Sequence, residues 1–189
     1  MESELAQVRS TGQSLREIAA AVGTSHRMLI HHFGSKEGLW VEVVQAVEAA
    51  QRDALGDLLP DPAADPAEAM RTWWRHISDP ALWPNERLFF ELYGQALQGR
   101  PGTVALLDGI IDAWLEPAAT ILTQLGFDDG KATARLGIAV TRGLLLDLLA
   151  TREVEQVDAA MNVHIAALEA LMTVRAVKSA TPSRVSSGS

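Results

Sequence analysis

An all-α fold is the class this sequence predicts, and three observations predict it. Ala and Leu are abundant while aromatic residues are only 5%, and no alternating strand pattern of useful length stands out. Turn and cap residues punctuate the chain at helical intervals: Gly23, Gly34-Ser35, Leu59-Pro60 to Pro66, Asp79-Pro80, Gly99 to Gly102, Gly126 to Gly130, and the stretch after Arg152. Apolar residues make up 48% of 189 residues, enough for a sizeable core.

Helices are then expected over 15–22, 26–33, 36–59, 66–78, 84–98, 103–125, 129–151 and 154–177. Pro117 should kink or split the sixth, because it lacks an N–H and crowds the preceding turn. The run Pro60 to Pro66 reads as a domain boundary, and the small polar residues from 179 onward read as a disordered tail. The chain divides on this reading into 1–59, 60–178 and 179–189.

The first pair of helices carries the clearest local signals. Ser14-Leu15-Arg16-Glu17 is a capping box, in which a hydroxyl takes a free N–H and a Glu reaches back. Leu15, Ile18, Ala19 and Val22 form one apolar stripe. Gly23 sits where a tight turn needs an unhindered backbone. Ser25 caps the next helix, whose Leu29 and Phe33 lie one turn apart and can face the first. Two short helices joined this way form a helix-turn-helix, whose second helix enters the major groove. An ordinary helix pair within a bundle has the same spacing, and spacing alone does not separate the two.

The side chains left outside suit DNA. Arg27 can pair with guanine or with phosphate, and His26 and His31 can donate to either. Met28 or Ile30 can touch a thymine methyl. Lys36 opens the following helix, where its ammonium and the free N–H groups can hold a phosphate. The chain as a whole carries a net charge of −8, which argues against a general nucleic-acid coat. Residues 14–36 instead hold Arg16, Arg27 and Lys36 against Glu17 alone, so a mildly basic head precedes an acidic body.

Helix 36–59 would run about 36 Å, a length suited to a strut. Leu39, Val43, Ala46, Val47, Ala50 and Leu55 are expected on its buried stripe. Aromatic residues then concentrate at Trp73, Trp74, Trp83, Phe89, Phe90 and Tyr93, with Trp114 further on. Core packing explains any single one of them. Together with Met70 and Arg142 they are candidates for an apolar pocket with a polar anchor. Arg142 can hold an anionic ligand or form a structural ion pair. The last two helices present Ala134, Gly137, Ile138, Leu144, Leu145 and Leu148, then Ala160, Val163, Ala167, Leu168 and Leu171, faces suited to close helix packing within or between subunits.

Enzyme chemistry has no footing in the residues. No phosphate loop or G-x-S-x-G motif occurs, and His76 and His164 have no partner at metal-ligand spacing. The chain has no Cys, so disulfides and thiol chemistry are out. No cofactor, catalytic residue or metal site is expected. No signal peptide and no membrane span is read from the sequence, and a cytoplasmic location follows by default.

Residues 15–39 closely resemble the DNA-binding signature of the TetR family, through Ile18-Ala19, Gly23, Ser25, Leu29, His32-Phe33 and Ser35-Lys36-Glu37-Gly38-Leu39. The resemblance implies a homodimer joined through the last two helices. It implies an N-terminal head that binds a double-stranded, palindromic DNA operator, and a C-terminal domain that binds a small apolar or amphipathic effector. Repression, relieved by that effector, is the expected mode. By the same match Arg27, Met28, Ile30, His31 and Lys36 fall at DNA-facing positions, whereas His32 and Phe33 are structural; the capping residues Ser14 and Ser25, with His26, complete the candidate DNA-binding set.

Two departures from the family pattern stand out. Ile30 replaces the usual Tyr, and Met28 a frequent Thr. The family also carries a full helix before the capping box, of which Glu4-Leu5-Ala6-Gln7 resembles only the final turn. The first helix therefore reads as largely truncated, and Ile18, Val22, Leu29 or Phe33 are expected to be more exposed than usual. A start assigned too far downstream or a real loss would each explain it, and the intact remainder favours the first. The alternative function is a helical small-molecule-binding dimer whose DNA binding is impaired.

Overall fold

The computed structural model describes residues 14–21, 23–58, 65–124 and 127–180. The expected turn at residues 4–7, Val22, most of the expected linker and nearly all of the tail lie outside them. Among the described residues there are eight α-helices and no strand. They are α1 (Leu15–Ala21), α2 (His26–Phe33), α3 (Lys36–Leu58), α4 (Pro66–Ile77), α5 (Trp83–Leu97), α6 (Asp112–Gln124), α7 (Gly130–Thr151) and α8 (Val154–Ala180). A 3-10 turn at Val104–Leu107 precedes α6.

The single helix expected over 103–125 is not formed. The chain turns through 108–111, where Gly109 has φ 71. The following α6 then runs through Pro117 to Gln124, so the break comes from the Asp108-Gly109 turn and not from the proline.

The helices gather into two compact units, Met1–Pro62 with Arg75–Asp112, and Ala63–Trp74 with Ala113–Ser189. In the first, α1, α2 and α3 pack in sequence, and α3 also packs on α5 and on the 3-10 turn. One core runs through it, from Ile18, Ala19 and Leu29 to Leu39, Trp40 and Val44, then to Phe89, Leu92 and Leu106. The exposure expected of Ile18 and Leu29 is therefore absent. Both are buried, in the cluster that the start of α3 shares with them.

The buried stripe of α3 also differs from the expected one. Leu39, Trp40, Val44, Glu48 and Gln51 are buried, whereas Ala46 and Ala50 are exposed. Gln51 is tolerated on this face because its Nε2 donates to Glu86 Oε1 of α5 at 2.6 Å, which offsets the cost of desolvating Gln51 and Glu86.

In the second unit α7 and α8 form an antiparallel hairpin. Arg152 makes the corner in left-handed conformation, φ 63, with its N–H bonded to the Leu148 carbonyl. Asp129 caps α7 by accepting from the Ala132 N–H at 3.0 Å. Leu145 and Leu148 of α7 and Val157, Met161, Ile165 and Leu168 of α8 are buried. The helix α4 is tied to α8 by two side-chain bonds: Trp74 Nε1 donates to Asp158 at 2.6 Å, and Arg71 to Glu169 at 3.2 Å.

One feature of α8 was not expected. Val154–Val174 is long and apolar enough to cross a membrane by length and composition alone. Asp158 and Glu169 within it are bound to Trp74 and Arg71, so this helix is committed to protein contacts on that side.

Candidate nucleic-acid interface

The capping box is formed as its residues predict. The Ser14 N–H donates to Glu17 at 2.6 Å, and the Glu17 N–H donates to Ser14 Oγ at 3.3 Å. The Ser14 bond is also the main reason that the Glu17 carboxyl titrates below the usual glutamate range. After α1 the chain reverses at Gly23, whose φ of 69 is strained for any residue with a Cβ. Ser25 then accepts from the Met28 N–H at 3.2 Å and starts α2. Each serine oxygen accepts a capping bond, which leaves its O–H proton for another acceptor.

α2 is fixed by one buried residue, Leu29, and by half-buried Phe33. Helical geometry then places Arg27 and His31, one turn apart, on the opposite side. His26, Arg27 and His31 are all exposed. Met28 and Ile30 are 46% and 38% exposed, among the few large apolar side chains of the first unit that face outward. His32 is also exposed, and its ring lies 5.5 Å from that of His31.

The turn into α3 is short because of Gly38. The Ser35 hydroxyl accepts the Gly38 N–H at 2.9 Å, and a Cβ on Gly38 would collide with the Phe33 carbonyl oxygen. This close approach sets the start of α3, and with it Lys36, directly beyond the end of α2. Lys36 is half-buried and lies near enough to Glu17 to act on its charge. The result is a helix pair, with its spacing locked by Gly23 and Gly38, that exposes Arg27 and His31 opposite Leu29, and His26 in the first turn of α2, with half-buried Lys36 just beyond its end.

The expected effector residues are distributed over both units. Phe89, Phe90 and Tyr93 belong to the first. Phe89 stacks on Tyr93 at 5.5 Å and meets Phe90 edge-on at 5.1 Å. A small recess nearby, with room for about one water molecule, is lined by Val44, Val47, Glu48, Asn85, Glu86 and Phe89. Met70, Trp73, Trp74, Trp114 and Arg142 belong to the second unit. There the Trp73 and Trp114 rings lie 5.8 Å apart, both half-buried, while Trp74 is buried and bound to Asp158. Arg142 is half-buried on α7.

The sequence pattern passed over His164 as a site residue. Its Nε2 is buried with no hydrogen-bond partner among the described residues, and burial pushes its pKa down. Nothing in the local sequence separates it from other polar residues of α8.

Comparison with known proteins bears out the resemblance read from residues 15–39. Residues 11–43 match the model of the bacterial regulatory proteins of the tetR family. The chain is also similar in structure to a transcriptional regulator from Rhodococcus sp. Rha1. The TM-score is 0.69 at 19% identity, over 87% of this chain and 89% of that one. A TetR transcriptional regulator from Legionella pneumophila gives a TM-score of 0.62 at 18% identity, over 86% and 92% of the two chains. At these identities the likeness is one of fold. No curated protein sequence matches the chain.

Proposed function

We propose that this chain, with a TetR-type helix-turn-helix on a TetR-type fold, is a ligand-responsive DNA-binding regulator acting as a homodimeric repressor. The observation that carries the reading is the coincidence of the family match with a formed, capped helix pair that exposes Arg27, His26 and His31, with Lys36 just beyond its end. Arg27 and His31 would face base edges, with Lys36 and the hydroxyls of Ser14 and Ser25 on phosphates.

Dimerisation is supported by a face that α7 and α8 leave uncovered. Leu136, Ala139, Gly143, Leu146 and Ala150 are all exposed, at spacings of three and four residues. So are Ala160, Val163, Ala167, Ala170 and Val174 on α8, where Val163 reaches 72%. Small and apolar stripes on two adjacent helices suit a four-helix interface with a second copy. Of the residues expected there, Ala134, Leu145, Leu148 and Leu168 are instead buried within the unit.

The effector would bind in the helical body, residues 60–178, where the Trp73–Trp114 pair offers apolar area and Arg142 a charge. Its signal would reach the head, residues 1–59, through α5 and α3. The Gln51–Glu86 bond joins these two helices. The turn after α5 also rests on the start of α3, with Arg100 3.9 Å from Glu37. Two recognition helices on one DNA face must sit about 34 Å apart or a multiple of that, so a small pivot of α3 in each subunit would release the operator.

The test is a gel shift with the DNA upstream of the chain's own gene, across a salt series. A retarded complex that weakens steeply with salt is expected. Absence of any complex at low salt would overturn the reading and leave a helical small-molecule-binding dimer.

A further inference from the structure

The outer face of α2 carries two apolar side chains where a DNA-reading helix gains nothing from them in water. Met28 and Ile30 are 46% and 38% exposed. Exposed His26, Arg27 and His31 surround them on the same helix. That setting suits a polyanion better than an apolar protein partner.

Geometry assigns the two residues to different sides. Residues two apart on an α-helix stand about 160° from each other around its axis. With Leu29 directed into the core, Arg27 and His31 form the central outward ridge. Met28 flanks this ridge on one side and Ile30 on the other. A helix lying in the major groove presents its ridge to the centre of the groove floor and its flanks to the base edges nearer each strand's backbone. Neither a thioether nor a sec-butyl group can bond a phosphate there. The apolar surface available on the major-groove edge is the thymine 5-methyl group.

Resting on the DNA-binding reading above, we infer that Met28 and Ile30 are specificity residues that recognise thymine methyls, one on each strand of a half-site. The operator half-site accordingly carries thymine on both strands beside the bases read by Arg27 and His31.

Uracil tests this directly, because it pairs as thymine does and lacks only the methyl. The full chain is used to select duplexes from a random library made with thymidine. The enriched duplex is then resynthesised with deoxyuridine at single thymine positions, in one strand or the other. Wild-type protein is expected to lose about fourfold in affinity for each methyl removed at a contacted position. Met28→Ala should abolish the penalty on one strand only, and Ile30→Ala the penalty on the opposite strand. Both side chains are exposed, so unchanged helix content by circular dichroism is the control on folding.

If wild type binds thymine and uracil duplexes equally, or both variants keep the full penalty, the assignment is overturned while DNA binding stands. If no duplex is enriched, the DNA-binding reading is overturned along with it.

Discussion

Gln51 and Glu86 are joined by a buried hydrogen bond of 2.6 Å, with only 8% and 4% of their surfaces exposed. It links α3, which begins directly beyond α2, to α5. Removing one partner leaves the other desolvated without compensation. Glu86→Ala is therefore expected to lower stability by about 1–3 kcal/mol in urea unfolding. A Gln51→Leu/Glu86→Leu double variant, which removes both polar groups and refills the space, should lose less. An unchanged unfolding midpoint for Glu86→Ala would show that the bond contributes nothing.

Gly38→Ala tests the tight entry to α3. The new methyl meets the Phe33 carbonyl oxygen, part of the backbone, which has no rotamer to yield. A loss of about 1–3 kcal/mol is expected, in the range of overpacked sites, with weakened DNA binding because Lys36 shifts relative to α2. Wild-type stability and affinity would mean that the turn relaxes at no cost.

His164 gives the protein a pH dependence of known sign. Burial lowers its pKa in the folded state, while the unfolded chain keeps the ordinary value of about 6.5. The unfolded state thus binds the proton more tightly. Stability is fully present above about pH 6.5 and falls as the pH drops through the depressed folded value. His164→Gln should flatten that part of the pH–stability curve. An identical slope in wild type and variant would assign the dependence to other groups.

The local features of the head were legible in the sequence because each is set within one turn of chain. Ser14, Glu17, Gly23 and Ser25 do what their residue types and spacing predict. The buried stripe of α3 was not legible, because Glu48 and Gln51 look like surface residues until Glu86, distant in sequence, comes to face them. The interruption before α6 was misplaced because Pro117 is the conspicuous breaker, while Asp108-Gly109 lies inside an apolar run. The aromatic residues between 73 and 93 look like one cluster along the chain, yet Trp73 pairs with Trp114 and Phe89 with Tyr93. Nearness in sequence did not decide which rings meet.

The exposed stripes of α7 and α8 predict an assembly state. Val163→Asp places a carboxylate at the centre of the proposed interface, where it would be buried and unpaired. The wild-type chain should run as a dimer in light scattering and the variant as a monomer, with operator affinity falling more than tenfold. A monomeric wild type, or a dimeric variant, would remove α7 and α8 from the interface.

The central claim is that α2 reads DNA, and the most direct measurement compares wild type with Arg27→Ala on a selected duplex and on a scrambled one of equal length. Arg27 is exposed at the middle of the outward ridge, so its loss should spare the fold. A bidentate contact to a base is worth about 1–3 kcal/mol of discrimination. The preference of wild type for the selected duplex is expected to fall by at least fivefold in the variant, while weak binding to the scrambled duplex persists. Equal affinity and equal preference in the two proteins would contradict it.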